Sequence, residues 1–252
     1  GGTNQNKPAG FNFSEHGLNS IRIHIWHDWI FLNFNGKAKK FEEYAKPLIK
    51  RFNDIDLTKL KYVATLDFGK INTNWKFLIE NFIEPYHVQF VHKTTTNQPL
   101  KDHYTFVDGK CYGSGIDVEK EDAKNGSALS VTSRYLSLFP NFIIGTYFPN
   151  QVGVYLNIPI SPGVTSQKRI IYTTDSKEMT KKEIQTTKDI WWSVHKEDHE
   201  ICERLQEGRS SPASHSGGLL SPIWEKGVQA FQKLIINSIN KSFKIKRRVK
   251  NV

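Results

Sequence analysis

The chain has 252 residues, enough for one sizeable domain with an appendage, and 38% hydrophobic with 24% charged residues suits a globular fold. No apolar run approaches the roughly 20 residues of a membrane span, no leader-like opening is read, and two cysteines, Cys111 and Cys202, exclude a disulfide framework or a Cys cluster, so a reducing, cytoplasmic setting is expected. The net charge of +10 raises nucleic acid as a partner. Much of it lies in "KSFKIKRRVKNV", with six Lys or Arg and no acid, so residues 241–252 read as a solvated basic tail. A docking patch for an acidic redox partner is the sharper reading of that tail; neither nucleic acid nor membrane is expected.

The opening "GGTNQNKPAGFNFSEHG" is polar and glycine-rich, hence loop. Ile21, Ile23 and Ile25 alternate with Arg22 and an outward His24, and after a turn at His27–Asp28 comes "WIFLNF", a predicted β-hairpin. Phe41, Tyr44, Ala45, Leu48, Ile49 and Phe52 fall at helical spacing, split by Pro47. Tyr62 to Phe68 reads as a strand. From about Thr105 to Thr174, runs such as "FIIGTYF", "VGVYLNIPI" and "KRIIYTT" predict an antiparallel sheet, with "KEDAKNGS" and "SPGVTSQ" as loops. A long helix is expected from about Lys177 to Glu207, stopped by Gly208, and another from Ser221–Pro222. The class is α+β, an antiparallel sheet packed by helices.

Two places break these patterns. In "NWKFLIENFIEPYHVQFVH", Asn74 to His92, the carboxyls of Glu80 and Glu84 and the imidazoles of His87 and His92 sit among apolar residues. Groups of that kind are costly to bury unless something binds them. His87 and His92 are five apart, about 140° around an ideal helix, so a π-bulge or a helix ending at His92 is needed to bring them together. In the long helix, Ile184, Trp191, Val194, Ile201, Cys202 and Leu205 mark an apolar stripe that skips Asp198, which therefore points inward. Two imidazoles and one inward carboxylate are the ligand set of mononuclear non-haem iron(II) oxygenases. Zinc accepts the same set, and an Arg or Trp partner for Asp198 with satisfied core histidines is the plainer reading. His195, His199 and His215 read as lying in polar surroundings, and His103 is left unassigned.

The stretch Asn74–His92 resembles the catalytic-domain signature of Rieske-type oxygenase large (alpha) subunits, with Asn-Trp-Lys, then Glu-Asn, then an acid two residues before Tyr-His, then His five further on. "EDHEICERLQEGRSSP" resembles the second signature of that family, and "FPNFIIGTYFPNQVGVY" is also similar; the resemblance spans roughly Leu18 to Ile239. It implies a helix-grip fold, a curved antiparallel sheet holding a long C-terminal helix. It implies Fe(II) on His87, His92 and Asp198, with Glu84 as the acidic bridge for electrons from a Rieske cluster in a neighbouring subunit. Asn81 and Tyr86 match positions that support the iron. The implied activity is an oxidoreductase that uses O2 to hydroxylate an aromatic ring or an N-methyl quaternary amine. Electrons would come from NAD(P)H through a ferredoxin or flavin reductase, and a homotrimer is implied. Glu at position 84, within "ENFxExYH", is reminiscent of members acting on choline, betaine or carnitine. Trp191, Trp192, Tyr147 and Phe148 could then cage a cation, or serve as plain core.

The Cys-x-His and Cys-x-x-His pairs that hold the family's [2Fe–2S] cluster are absent from this sequence. The implied organisation is residues 1–35 as the last hairpin of a Rieske domain, 36–70 as helical linker, 71–240 as the catalytic iron domain, and 241–252 as basic tail. The rivals are a non-enzymatic helix-grip ligand-binding module and a zinc-dependent hydrolase on the same three ligands.

Overall fold

A computed structural model describes residues 10–96, 98–117, 132–147 and 150–249. The chain divides into two units, Gly1–Tyr44 and Ala45–Val252.

In the first unit, β1 (Arg22–Trp26) pairs antiparallel with β2 (Trp29–Asn33), in the register Ile23↔Leu32 and Ile25↔Ile30. His27 turns the chain with φ 52°. A short helix, α1 (Phe41–Tyr44), follows. The alternation is as predicted but its faces are reversed. His24 stacks on Phe41 with ring centroids 4.3 Å apart, while Ile23, Ile25, Ile30 and Leu32 are exposed. Cross-strand neighbours share a face, so packing His24 and Phe31 on Phe41 turns the four aliphatic residues outward.

The second unit opens with α2 (Lys46–Lys50), whose first turn contains Pro47. Proline lacks the N–H that α1 would need and suits a helix start, so it divides the two. Seven strands then form one antiparallel sheet: β3 (Lys61–Ile71), β4 (His103–Asp108), β5 (Cys111–Ile116), β6 (Ser133–Leu138), β7 (Phe142–Tyr147), β8 (Gln151–Ser161) and β9 (Val164–Thr173). Their order is β3-β9-β8-β7-β6-β5-β4. After α2 come the helices α3 (Trp75–Ile83), α4 (Val88–Val91), α5 (Lys181–Ser210) and α6 (Lys226–Val249). α5 packs against β3 and α3, while α6 packs against β4, β5 and α3. Ile79 and Ile83 of α3, Tyr112 of β5 and Phe231 of α6 form one fully buried cluster, and Leu66, Ile171, Tyr147, Trp191 and Val194 form another under α5. Full burial of each large apolar side chain is worth roughly 1.5–3 kcal/mol. The α+β, helix-grip expectation is met.

Several boundaries move. α5 starts at Lys181, because Thr180 and Glu183 form a reciprocal capping box. It runs through Gly208 and ends at Ser210, before Ser211 and Pro212. Ser221 instead organises a turn, accepting from the Trp224 N–H at 3.1 Å, and α6 begins only at Lys226. α6 is helical through Val249, so most of the predicted tail is helix backbone, with residues 250–252 outside the described residues. β3 takes up residues 61–70 of the stretch read as helical linker, and the units divide at Tyr44–Ala45. "KEDAKNGS" lies outside the described residues, as do the first nine residues of the chain.

Candidate metal centre

The first signature is a set of ties around α3. Asn74 caps the helix, its side chain accepting from the Lys76 N–H at 3.0 Å and donating to the Pro162 carbonyl at 2.6 Å. Its backbone N–H reaches Gln206 of α5 at 2.9 Å. The helix stops at Ile83 because Glu84 precedes Pro85, and a residue before proline is driven to extended backbone, here φ −113° and ψ 144°. The chain then makes the single turn of α4, with His87 at its entry and His92 just past its exit. Of the two routes that unite residues five apart, this is the broken helix; the imidazole centroids end 5.2 Å apart.

Asp198 reaches the same point from α5. The buried residues of that helix are Thr187, Trp191, Val194, His195 and Cys202, at spacings that include position 198. Ile201 and Leu205, expected in the stripe, are 38% and 42% exposed; the buried face is turned toward His195 instead. One ligand atom each from His87, His92 and Asp198 lies within 4.8 Å of the others, the one such His, Cys or acid group among the described residues. His92 Nε2 is 3.1 Å and His87 Nε2 3.5 Å from Asp198 Oδ1.

The far side of each ligand is held. His87 Nδ1 meets Glu84 Oε1 at 2.6 Å, and Glu84 Oε2 accepts from the backbone N–H groups of Tyr86 and, at 3.1 Å, His87. His92 Nδ1 meets Glu197 Oε2 at 2.8 Å, which also accepts from Thr95 Oγ1 at 2.5 Å. Asn81 Nδ2 donates to Asp198 Oδ1 at 2.7 Å. With both Nδ1 atoms engaged by carboxylates, the two Nε2 atoms are the ones turned to a shared ion.

The electrostatics agree. Burial disfavours a charged His87, but Glu84 and Asp198 outweigh it and raise its pKa to about 10. His92 is likewise raised, burial being overcome chiefly by Asp198. Burial would raise Asp198, yet His92 and His87 hold it well below the usual carboxylate range. The cluster stabilises positive charge where the three ligand atoms meet, and a divalent cation supplies that charge as well as protons do. The donor set therefore fits the iron that the resemblance implies. No such fit exists for a [2Fe–2S] cluster, because Cys111 and Cys202 are buried on β5 and α5 and carry no Cys-x-His pattern.

A cavity opens beside the triad, with Phe82, Tyr135, Ile143, Tyr147, Tyr155 and Trp191 among its lining. Three expectations need correction here, at Tyr86, at His195 and in the cation cage. Tyr86 is 45% exposed and its ring packs on Phe90; its backbone N–H donates to Glu84 Oε2. His195 is not in polar surroundings but buried in the cavity wall, with its pKa well below the usual imidazole range through burial and the nearby Arg169. His199 is half-buried and bonds Gln167 at 2.7 Å. The proposed cation cage is already engaged: the Arg169 guanidinium lies 3.4 Å from the Trp191 ring centroid and 4.9 Å from that of Tyr147. Trp192 is exposed and packs on Phe68, and Phe148 lies outside the described residues.

Glu197 and Arg169 were missed from sequence. Glu197 sits in a run of acids and bases that reads as solvated helix surface. Arg169 did carry a signal: it shares strand parity with the inward Ile171.

Comparisons with known proteins bear on the same residues. A family model described as "Ring hydroxylating alpha subunit (catalytic domain)" matches residues 55–240. Choline monooxygenase from Atriplex hortensis is 25% identical over 227 residues, 87% of this chain and 51% of that protein. Terephthalate 1,2-dioxygenase terminal oxygenase subunit alpha 2 from Comamonas sp is 24% identical over 272 residues, 90% of this chain and 66% of its own. The chain spans about half the length of the choline monooxygenases it matches. Among solved structures, the quaternary ammonium Rieske monooxygenase CntA in complex with L-carnitine aligns with TM-score 0.70 at 20% identity, over 90% of this chain and 63% of that one. That likeness shows the fold, and the family match covers both signature stretches. The chain belongs to the ring-hydroxylating alpha-subunit family and carries its catalytic domain.

Proposed function

We propose that this chain is the catalytic part of the terminal oxygenase component of a Rieske-type non-haem iron oxygenase. His87, His92 and Asp198 would hold Fe(II). The observation that carries the reading is their convergence within 4.8 Å beside an aromatic cavity, each imidazole braced through Nδ1 by its own carboxylate. Bound iron supplies dioxygen activation, which the protein side chains cannot.

The residues of the chain do the rest. Glu84 fixes the His87 ring and is the proposed route for electrons from a Rieske centre in a neighbouring subunit. Glu197 and Asn81 fix His92 and Asp198. The aromatic walls exclude water and orient the substrate. The substrate class is an aromatic ring or an N-methyl quaternary amine: relatives are named for choline, terephthalate, salicylate and anthranilate, and a neighbour was solved with carnitine. Electrons from NAD(P)H through a ferredoxin or flavin reductase, a homotrimer and a reducing, cytoplasmic setting complete the proposal. Both cysteines are free and buried, in keeping with that setting; among the described residues no helix is long and apolar enough to cross a membrane. We read residues 1–35 as the last hairpin of a cluster-binding domain, 36–70 as a linker and 71–240 as the iron domain. The exposed Ile23, Ile25, Ile30 and Leu32 support the first assignment, since a two-stranded ribbon is stable only with its apolar face covered.

The test is anaerobic Fe(II) loading with nitric oxide as an EPR-visible probe. One iron per chain is expected, with the signal lost in His87→Ala and Asp198→Ala. Stoichiometric zinc retained in preference to iron would favour a hydrolase, and no metal in the folded chain would favour a binding module.

A further inference from the structure

Arg169, on β9, is 0% exposed and has no acidic partner among the described residues. A guanidinium does not give up its proton in a protein, so a full charge is buried here. Nη1 donates to Tyr155 Oη and, at 3.3 Å, to His195 Nε2. The Trp191 ring covers one face, and Gly153 leaves the room that a Cβ would fill at 2.7 Å from Nη2. Among the described residues, Nε and Nη2 have no hydrogen-bond partner.

Those two atoms form one edge of the guanidinium, the edge that takes both oxygens of a carboxylate side by side. A buried charge without a partner for its N–H groups is costly. The nearby Asp198 cannot relieve it, being engaged by Asn81, His87 and His92. Stacking on Trp191 offsets charge but satisfies no N–H. Yet Tyr147, Tyr155, Trp191 and His195, all touching Arg169, line the cavity beside the triad. The charge therefore stands one side chain behind the cavity wall.

We propose that the substrate of this cavity carries a carboxylate and that Arg169 is the residue that reads it. The inference rests on the oxygenase reading for what the cavity is for, and narrows it. Benzoate-like acids and betaine-like zwitterions qualify; a bare cation such as choline does not, because the aromatic box already holds a cation of the protein itself. The carboxylate is held by the free Nε–Nη2 edge or through Tyr155 Oη, which the guanidinium polarises; both routes depend on Arg169.

The experiment measures binding by calorimetry, with and without metal, using pairs that differ in charge: glycine betaine against choline, and benzoate against benzamide. Acetate, terephthalate and 2-naphthoate extend the acid series. In at least one pair the acid should bind tenfold or more tighter than its partner. Arg169→Met should collapse the difference and Arg169→Lys, which keeps the charge without the fork, should restore part of it. Acids and their partners binding alike, or no acid of the series binding to the folded chain, overturns the proposal. If Arg169→Met fails to fold, the pairs on the unmodified chain decide alone. Iron is measured on the same samples. A chain that prefers acids but takes no iron keeps this inference and loses the oxygenase; one that takes iron and binds no acid more tightly than its partner does the reverse.

Discussion

Glu197 and Glu84 each engage the Nδ1 of a different imidazole, and only one of them stands out in the sequence. Glu84 lies three residues before His87 and shares its face of the chain, so the pairing is visible as spacing. Glu197 is 105 residues from His92, and its neighbours Lys196, Asp198 and Glu200 give it no distinction. A carboxylate that orients a metal-bound imidazole is typically worth 10–100-fold in metal affinity. We therefore expect Glu197→Ala to weaken Fe(II) binding by about that factor while the melting curve of the metal-free chain stays close to the parent. Metal titration with a competing chelator reads this directly. Unchanged affinity would show that His92 is held by its backbone position alone. The three residues proposed to hold iron were legible because each broke a pattern; Glu197 was not, because a polar residue on a polar helix face breaks none.

At the scale of elements, α3 is where burial and charge conflict. Glu80 is half-buried and faces α6, where Gln232 Nε2 donates to it at 3.2 Å. Burial raises its pKa above the usual carboxylate value, and the Gln232 bond and Lys76 only partly offset that. The fold thus binds this proton more tightly than the unfolded chain does. Stability from the group is present below about pH 4.5, its unfolded value, and is lost as pH rises through the raised folded pKa. Glu80→Gln should then melt higher than the parent at pH 8, with the gap closing toward pH 4.5. A variant that melts lower at pH 8 would mean that Lys76 or Arg209 makes the charged form worth keeping. Element types were legible here from periodicity, and Pro47 placed one break. Boundaries failed where a side chain overrode the residue preference: the Thr180–Glu183 box moved the start of α5, and a glycine at 208 did not stop a helix that Ser211 and Pro212 end.

The whole molecule decides what the sheet floor can hold. Gly145 and Gly153 face each other across β7 and β8, and nothing in either strand says why two glycines interrupt apolar runs. Assembly supplies the reason: the Tyr147 hydroxyl lies where a Cβ of Gly145 would be, and the Arg169 guanidinium where one of Gly153 would be. Only when β9, β8 and α5 come together does Gly153 acquire a partner, so this part of the site is invisible in any local pattern. A methyl at 153 would meet Nη2 at 2.7 Å and Cζ at 2.9 Å. Trp191, stacked at 3.4 Å on the guanidinium, limits the retreat. Overpacking of this kind costs about 1–3 kcal/mol, or roughly 2–12 °C in a domain of this size. If the glycine exists to seat the guanidinium, the cost belongs to the pair. Gly153→Ala should be destabilising in the parent and close to neutral in an Arg169→Ala background, giving a coupling of about 1 kcal/mol or more in a double-mutant cycle. Additive costs would instead place the need for glycine in the β7–β8 backbone, and would leave Arg169 free to move when a substrate enters.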